Sequence, residues 1–140
     1  MKNTEAYARL VEKDIKPSVQ RIVILDYLMT NNIHPSVETV YHALVKRIPT
    51  LSATTVYNTL RLFAEKGVAN MITIDEHHVC YDGFLKPHAH FLCRKCGKVF
   101  DIFDTPMPSL KAGTTIEGHR PDHVQLYYRG LCSECSTTET

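Results

Sequence analysis

Up to about residue 66 the apolar positions recur at the three- and four-residue spacing of helices, and after Gly67 they recur at a spacing of two. In the stretch DIKPSVQRIVILDYLMTNN, Val19, Ile22, Ile24, Leu25, Leu28 and Met29 form mostly one stripe, which predicts a helix ending at Asn31-Asn32. HPSVETVYHALVKR offers Ser36 as an N-cap, then Val37, Val40, Tyr41, Leu44 and Val45 at helical offsets, and Pro49 closes the segment. LSATTVYNTLRLFAEKG repeats the form, with Ser52 as N-cap, Val56, Leu60 and Phe63 facing inward, and Gly67 as the stop. A weaker helical pattern, about residues 3–13, precedes them.

Beyond Gly67, VANMITIDEHHVCYDG reads as two short strands around an Asp75-Glu76-His77 turn. Three helices followed by a two-stranded ribbon describe a winged helix-turn-helix. Gly83 and Pro87 bracket a hinge, which divides the chain into residues 1–83 and 84–140. The second part carries three strand candidates, HAHFLC, KVFDI and HVQLYYRGLC, with a proline-interrupted segment between the last two. The expected fold class is therefore α+β, an N-terminal winged helix-turn-helix followed by a small α/β domain.

Composition narrows the setting. The chain has 140 residues, 44% hydrophobic and 22% charged, and its longest apolar run, IVIL at 22–25, is far too short to span a bilayer. No apolar block of a secretory signal opens the sequence, so the expected compartment is the cytoplasm, with no membrane partner. A net charge of +1 gives no global electrostatic case for nucleic acid, and residues 1–83 balance nine Lys/Arg against nine Asp/Glu. Five cysteines, an odd number, favour metal binding over a disulfide framework in a reducing compartment.

Four of those cysteines form two CxxC pairs, Cys93 with Cys96 and Cys132 with Cys135. Each CxxC turn presents two thiolates to one cation, and two turns complete the tetrahedron that zinc prefers. A thioredoxin-like redox pair lacks its βαβ context here. Residues 84–140 are also too few to supply much core of their own, so a zinc staple and a partner subunit answer the same need. VQLYYRGL alternates enough apolar side chains to join a shared sheet, and homodimerisation through this half is expected.

A second site is suggested by PHAHFLCRKCGKVFD. His88 and His90 are two apart on a predicted strand and emerge on one face, whereas Cys93 faces the other way. Asp82 and Asp101 are the available carboxylates, although each is equally explained as a turn residue or a cap. His34 precedes Pro35, which keeps it out of helical geometry at a helix entrance, and spacing alone does not place it near His88. His42, His77 and His78 read as helix-face and turn residues, and His119 and His123 as unsupported ligands.

Taken together, HPSVETVYHAL, LSATTVYNTLRLF, CYDG, PHAHFLCRKCGKVFD and LYYRGLCSEC resemble the ferric uptake regulator family of metal-dependent repressors, from about residue 15 to 135. The resemblance implies a DNA-binding domain, a dimerisation domain with the four-cysteine zinc site, and a regulatory metal held by His34, Asp82, His88, His90 and Asp101. It further implies Fe²⁺ or Mn²⁺ as that metal, Zn²⁺ being possible, and a repressor that is not an enzyme. Aspartate at both 82 and 101 resembles the peroxide-sensing branch, in which iron-bound His34 or His88 is the oxidation-prone ring. An iron- or zinc-uptake repressor is the alternative; Cys80, on the face of Asp82, is the residue that a zinc sensor would use, although an inert buried thiol explains it more simply and Asp82 stands where such a cysteine would align. The proline-broken segment between Asp104 and His123 departs from the family and shortens its usual dimerisation helix.

On the helix from Ser52 to about Glu65, Tyr57, Asn58 and Arg61 lie off the inward stripe and are the residues expected to face a DNA groove. Lys16, Gln20 and Arg21 are expected to clamp the phosphate backbone of double-stranded operator DNA, with Lys46 and Arg47 as helpers. Two other classes stay open at this level: a zinc or iron enzyme, for which no separate nucleophile or acid/base pair stands out, and a zinc-ribbon interaction module with incidental histidines.

Overall fold

A computed structural model of the chain describes residues 4–31, 33–75, 78–108 and 110–137. They form two compact units, Met1–Leu85 and Lys86–Thr140. Asn32, Glu76 and His77, from the expected helix stop and ribbon turn, lie outside the described residues.

The first unit contains α1 (Thr4–Glu12), α2 (Val19–Thr30), α3 (Val37–Leu44), α4 (Ala53–Glu65), β1 (Asn70–Asp75) and β2 (His78–Asp82). Three helices start in the same way. The hydroxyls of Ser18, Ser36 and Ser52 accept the N–H groups of Arg21, Thr39 and Thr55 at 3.2, 3.2 and 3.1 Å, satisfying donors that the first helical turn leaves open. At the end of α4, Gly67 takes φ +75°. This lets Val68 donate to the Phe63 carbonyl at 2.8 Å and Gly67 to that of Ala64 at 3.3 Å, the paired bonds of a Schellman stop.

The core collects Leu10 of α1, Ile24, Leu25 and Leu28 of α2, Val40 and Leu44 of α3, and Val56, Leu60 and Phe63 of α4. The expected stripe of α2 needs one correction. Val19 is 73% exposed while Val23 is buried, because Val19 opens the helix directly after its cap and Val23 falls one residue before Ile24 on the inward side. β1 and β2 pair antiparallel, with Ile72 opposite Cys80 and Asn70 opposite Asp82. The Tyr81 N–H donates to the Pro35 carbonyl at 3.0 Å, which ties the ribbon to the loop carrying His34.

Gly83 follows β2 where the chain lies flat against α2. A Cβ there would sit 2.9 Å from both the carbonyl carbon and the oxygen of Leu28, atoms of a helix backbone that cannot swing aside. Gly83→Ala is therefore expected to destabilise the first unit by about 1–3 kcal/mol, the usual cost of overpacking. Urea unfolding followed by far-UV circular dichroism would detect this, and an unchanged midpoint would contradict the close packing.

The second unit is built on β3 (Ala89–Cys93), β4 (Val99–Ile102) and β5 (Tyr127–Gly130), followed by α5 (Ser133–Thr137). Strand order is β4-β3-β5, with β4 antiparallel and β5 parallel to β3. A parallel partner requires a crossover, which residues 103–126 provide without a helix among the described residues. Pro106, Pro108 and Pro121 remove helical donors along this segment, as its composition led one to expect. Two features differ from expectation: the last strand covers only Tyr127–Gly130 of the longer apolar stretch, and α5 had no sequence signal. Among the described residues of this unit the buried hydrophobic side chains are Ala89, Cys93 and Cys132, so little core is available without a cross-link. No described helix is long and apolar enough to cross a membrane.

Candidate metal centres

The four paired cysteines meet because the parallel register places Cys93 opposite Gly130, just before Cys132. Arg94 donates to the Gly130 carbonyl at 2.8 Å, locking one CxxC turn beside the other. In the first turn Gly97, at φ +76°, donates to the Cys93 carbonyl at 2.9 Å. The second turn opens α5, where Ser136 donates to the Cys132 carbonyl at 2.8 Å. All four Sγ atoms lie within 4.8 Å of one another, and the five cysteines form no disulfide.

Zinc fits this cluster. Bonds of about 2.3 Å to a tetrahedral zinc place its sulfurs about 3.8 Å apart, and Cys96 and Cys132 Sγ are 3.8 Å apart. The Cys96 N–H, 3.4 Å from Cys93 Sγ, is the main cause that draws the Cys93 thiol down to about 5. Cys135 is instead pushed up to about 12, chiefly by its hydrogen bond with Cys132. Zinc binds thiolates, so a cation entering the cluster releases the protons its thiols still carry.

The candidate nitrogen and oxygen ligands are divided between the units. In the first, His34 Nε2 lies 3.7 Å from Asp82 Oδ2, with both side chains buried. Asp82 Oδ1 accepts the Phe84 N–H at 2.9 Å, which fixes the carboxylate and turns Oδ2 toward the histidine. His34 avoids right-handed helical geometry, but through the left-handed region, with φ +53°. A non-glycine residue held there costs about 1–2 kcal/mol and is kept by its surroundings.

In the second unit the β3–β4 register pairs His90 with Asp101 directly across the sheet. Asp101 Oδ1 is 3.3 Å from His90 Nε2 and 2.9 Å from His88 Nε2, and all three side chains are buried. His88 and His90 ring centroids are 4.6 Å apart, so the two imidazoles share a side as their spacing predicts. His88 Nδ1 lies 2.7 Å from the Lys86 carbonyl, an acceptor only, and must carry the proton. A neutral His88 then aims its Nε2 lone pair at a carboxylate oxygen. Two acceptors at this distance require a proton or a cation between them, and bonds of about 2.1 Å at right angles give ligand separations of about 3.0 Å. Phe103 stacks on the His88 ring, with centroids 4.9 Å apart.

His42 is exposed on α3 against Tyr41, while His119 and His123 are exposed and belong to no cluster of three ligands among the described residues. Cys80 is partly buried on β2 and belongs to neither ligand group.

On the first unit Tyr57, Asn58 and Arg61 are exposed along α4, and Arg61 also pairs with Glu65 at 3.5 Å, one helical turn on. Gln20, Arg21 and Asn58 line one open groove of about 400 Å³ between α2 and α4. Arg21 reaches back to the carbonyl of exposed Lys16 at 2.8 Å. Thr55 and Thr59 also line this groove. Their hydroxyls were hidden in the helical pattern, where threonine reads as neither core nor charge.

The ferric uptake regulator family profile matches residues 12–129. The chain is 32% identical over 136 residues to the peroxide operon regulator of Bacillus subtilis (strain 168), covering 96% of this chain and 94% of that protein. It is similar in fold to the ferric uptake regulator from Francisella tularensis with iron, at TM-score 0.64 and 24% identity over 87% of this chain and 95% of that one. A zinc uptake regulator complexed with zinc and DNA is likewise similar, at TM-score 0.66 and 18% identity, covering 98% and 94% of the two chains. With its four-cysteine cluster and its buried His/Asp side chains, the chain belongs to the ferric uptake regulator family.

Proposed function

We propose that this chain is a metal-dependent transcriptional repressor that binds operator DNA as a homodimer and is inactivated by peroxide. The observation that carries the reading is the division of ligands: His34 and Asp82 in one unit, His88, His90 and Asp101 in the other. Neither set alone satisfies a cation that prefers five or six nitrogen and oxygen donors, and together they supply five with one position open. Imidazoles and hard carboxylates suit Fe²⁺ and Mn²⁺, with Zn²⁺ a competitor through its raw affinity.

A site completed by both units favours whichever arrangement lets both contribute. Moving such an equilibrium from 1:99 to 99:1 takes about 5.5 kcal/mol of differential binding. In this reading α3, α4 and the β1–β2 ribbon act as a winged helix-turn-helix in residues 1–83. The helix α4 presents Tyr57, Asn58 and Arg61 to a groove, while Lys16, Gln20 and Arg21 meet phosphates. Residues 84–140 form the dimerisation half, and two copies place two α4 helices at successive half-sites.

Aspartate at both carboxylate positions and the likeness to a peroxide operon regulator support peroxide as the signal. When bound, ferrous iron supplies the one-electron chemistry that splits the O–O bond. At His34 or His88 the ring C2–H is replaced by a C2–O bond, one peroxide oxygen enters the ring and the other leaves as water. The oxidised ring no longer offers an imidazole lone pair, and its unit loses one of few ligands.

Selection of duplexes from a random DNA pool by the zinc-loaded protein, with and without added Mn²⁺, tests the repressor reading. It is expected to enrich a palindrome only with Mn²⁺, with affinity falling at least 100-fold without it. Equal enrichment in both arms would contradict the corepressor role.

A further inference from the structure

Arg9 has no part in the site as the family resemblance describes it, yet its side chain is drawn inward from α1. Its Nη1 donates to the Gly83 carbonyl at 2.7 Å and to the Val68 carbonyl at 3.3 Å, in a part-buried setting. Both acceptors flank the β1–β2 ribbon, one just before β1 and one just after β2. The next residue, Phe84, donates to Asp82 Oδ1, and Gly83 itself is pressed on the Leu28 backbone. The carboxylate of Asp82 is thus fixed by a chain segment held from two sides: α2 by contact, and α1 by a cation.

We infer that Arg9 is a positioning residue for the regulatory metal, holding the Asp82–Phe84 segment so that Asp82 Oδ2 stays aimed at His34. The inference rests on Asp82 being a ligand, as proposed above. A guanidinium suits this task because one nitrogen serves two carbonyls while its charge strengthens both bonds. Partial burial lowers the Arg9 pKa from its ordinary value, with Glu5 and Glu12 opposing the shift. Removing it leaves two carbonyls without their Arg9 donor, and the segment after Asp82 is then held only by the β1–β2 ladder and the Leu28 contact. Supports of this kind around a metal ligand change affinity by about 10–100-fold.

The test measures Mn²⁺ affinity by isothermal titration on full-length, zinc-loaded protein, for Arg9→Leu, Arg9→Lys, Asp82→Asn and Arg9→Leu combined with Asp82→Asn. Thermal unfolding is recorded in parallel. A positioning role predicts about tenfold weaker Mn²⁺ binding in Arg9→Leu at a temperature where the protein is fully folded, partial recovery in Arg9→Lys, and no further loss when Asp82→Asn is already present. A lower melting temperature with unchanged Mn²⁺ affinity in both Arg9 variants would overturn it and leave Arg9 a packing residue. An Asp82→Asn protein that binds Mn²⁺ normally would instead remove Asp82 from the site, and the positioning role with it. Should Arg9→Leu fail to fold, Arg9→Lys alone decides: an affinity equal to that of the parent, together with lower thermal stability, counts against the inference.

Discussion

Cys132→Ser is expected to abolish zinc retention and the ordered fold of residues 86–140 together. The second unit buries only Ala89, Cys93 and Cys132 among its described hydrophobic side chains, too small a core to balance the entropy of ordering three strands and a crossover. The cysteine cluster ties the β3–β4 turn to the end of β5, and its metal-binding energy is folding energy. Zinc content should fall from one ion per chain to nearly none, with loss of the amide dispersion belonging to the second unit. Cys80→Ser, at the one cysteine outside the cluster, should leave both intact. A Cys132→Ser protein that keeps zinc and fold would show that the cluster is not the staple.

Asp101→Ala should have the largest effect on regulation. One oxygen of this carboxylate faces both His88 and His90, so its removal takes away the carboxylate around which both imidazoles gather. At least 100-fold weaker Mn²⁺ binding and loss of metal-stimulated DNA binding are expected, with the cysteine-bound zinc untouched. His34→Ala, on the other unit, should give the same phenotype, because the proposed ion needs both sets of ligands. If either variant keeps full stimulation, the ion is not shared in the way proposed. Asp101→Glu keeps a carboxylate and should still repress, with a blunted response to peroxide.

How much of this was legible in the sequence depended on how local each feature was. Ser18, Ser36 and Ser52 cap their helices through bonds that span three residues, and Ser36 and Ser52 were readable from order alone. The two CxxC pairs were readable because each knuckle closes on itself. His90 and Asp101 could be proposed from residue type, but their pairing depends on the β3–β4 register, which the sequence leaves open. His34 lay beyond reach of spacing, because it is brought to Asp82 by the ribbon folding back onto the Pro35 carbonyl. Family resemblance, not periodicity, named it. The parallel pairing of β5 and the inward turn of Arg9 are long-range choices for which no local pattern exists.

Peptide mass spectrometry of the iron-loaded, zinc-replete protein, before and after one equivalent of peroxide under anaerobic handling and with DNA binding followed on the same samples, tests the central claim most directly. The account predicts a gain of one oxygen on the peptide containing His34 or His88, in proportion to the loss of binding. Unmodified histidines with undiminished binding would contradict peroxide sensing and return the chain to the metal-uptake repressors of its family.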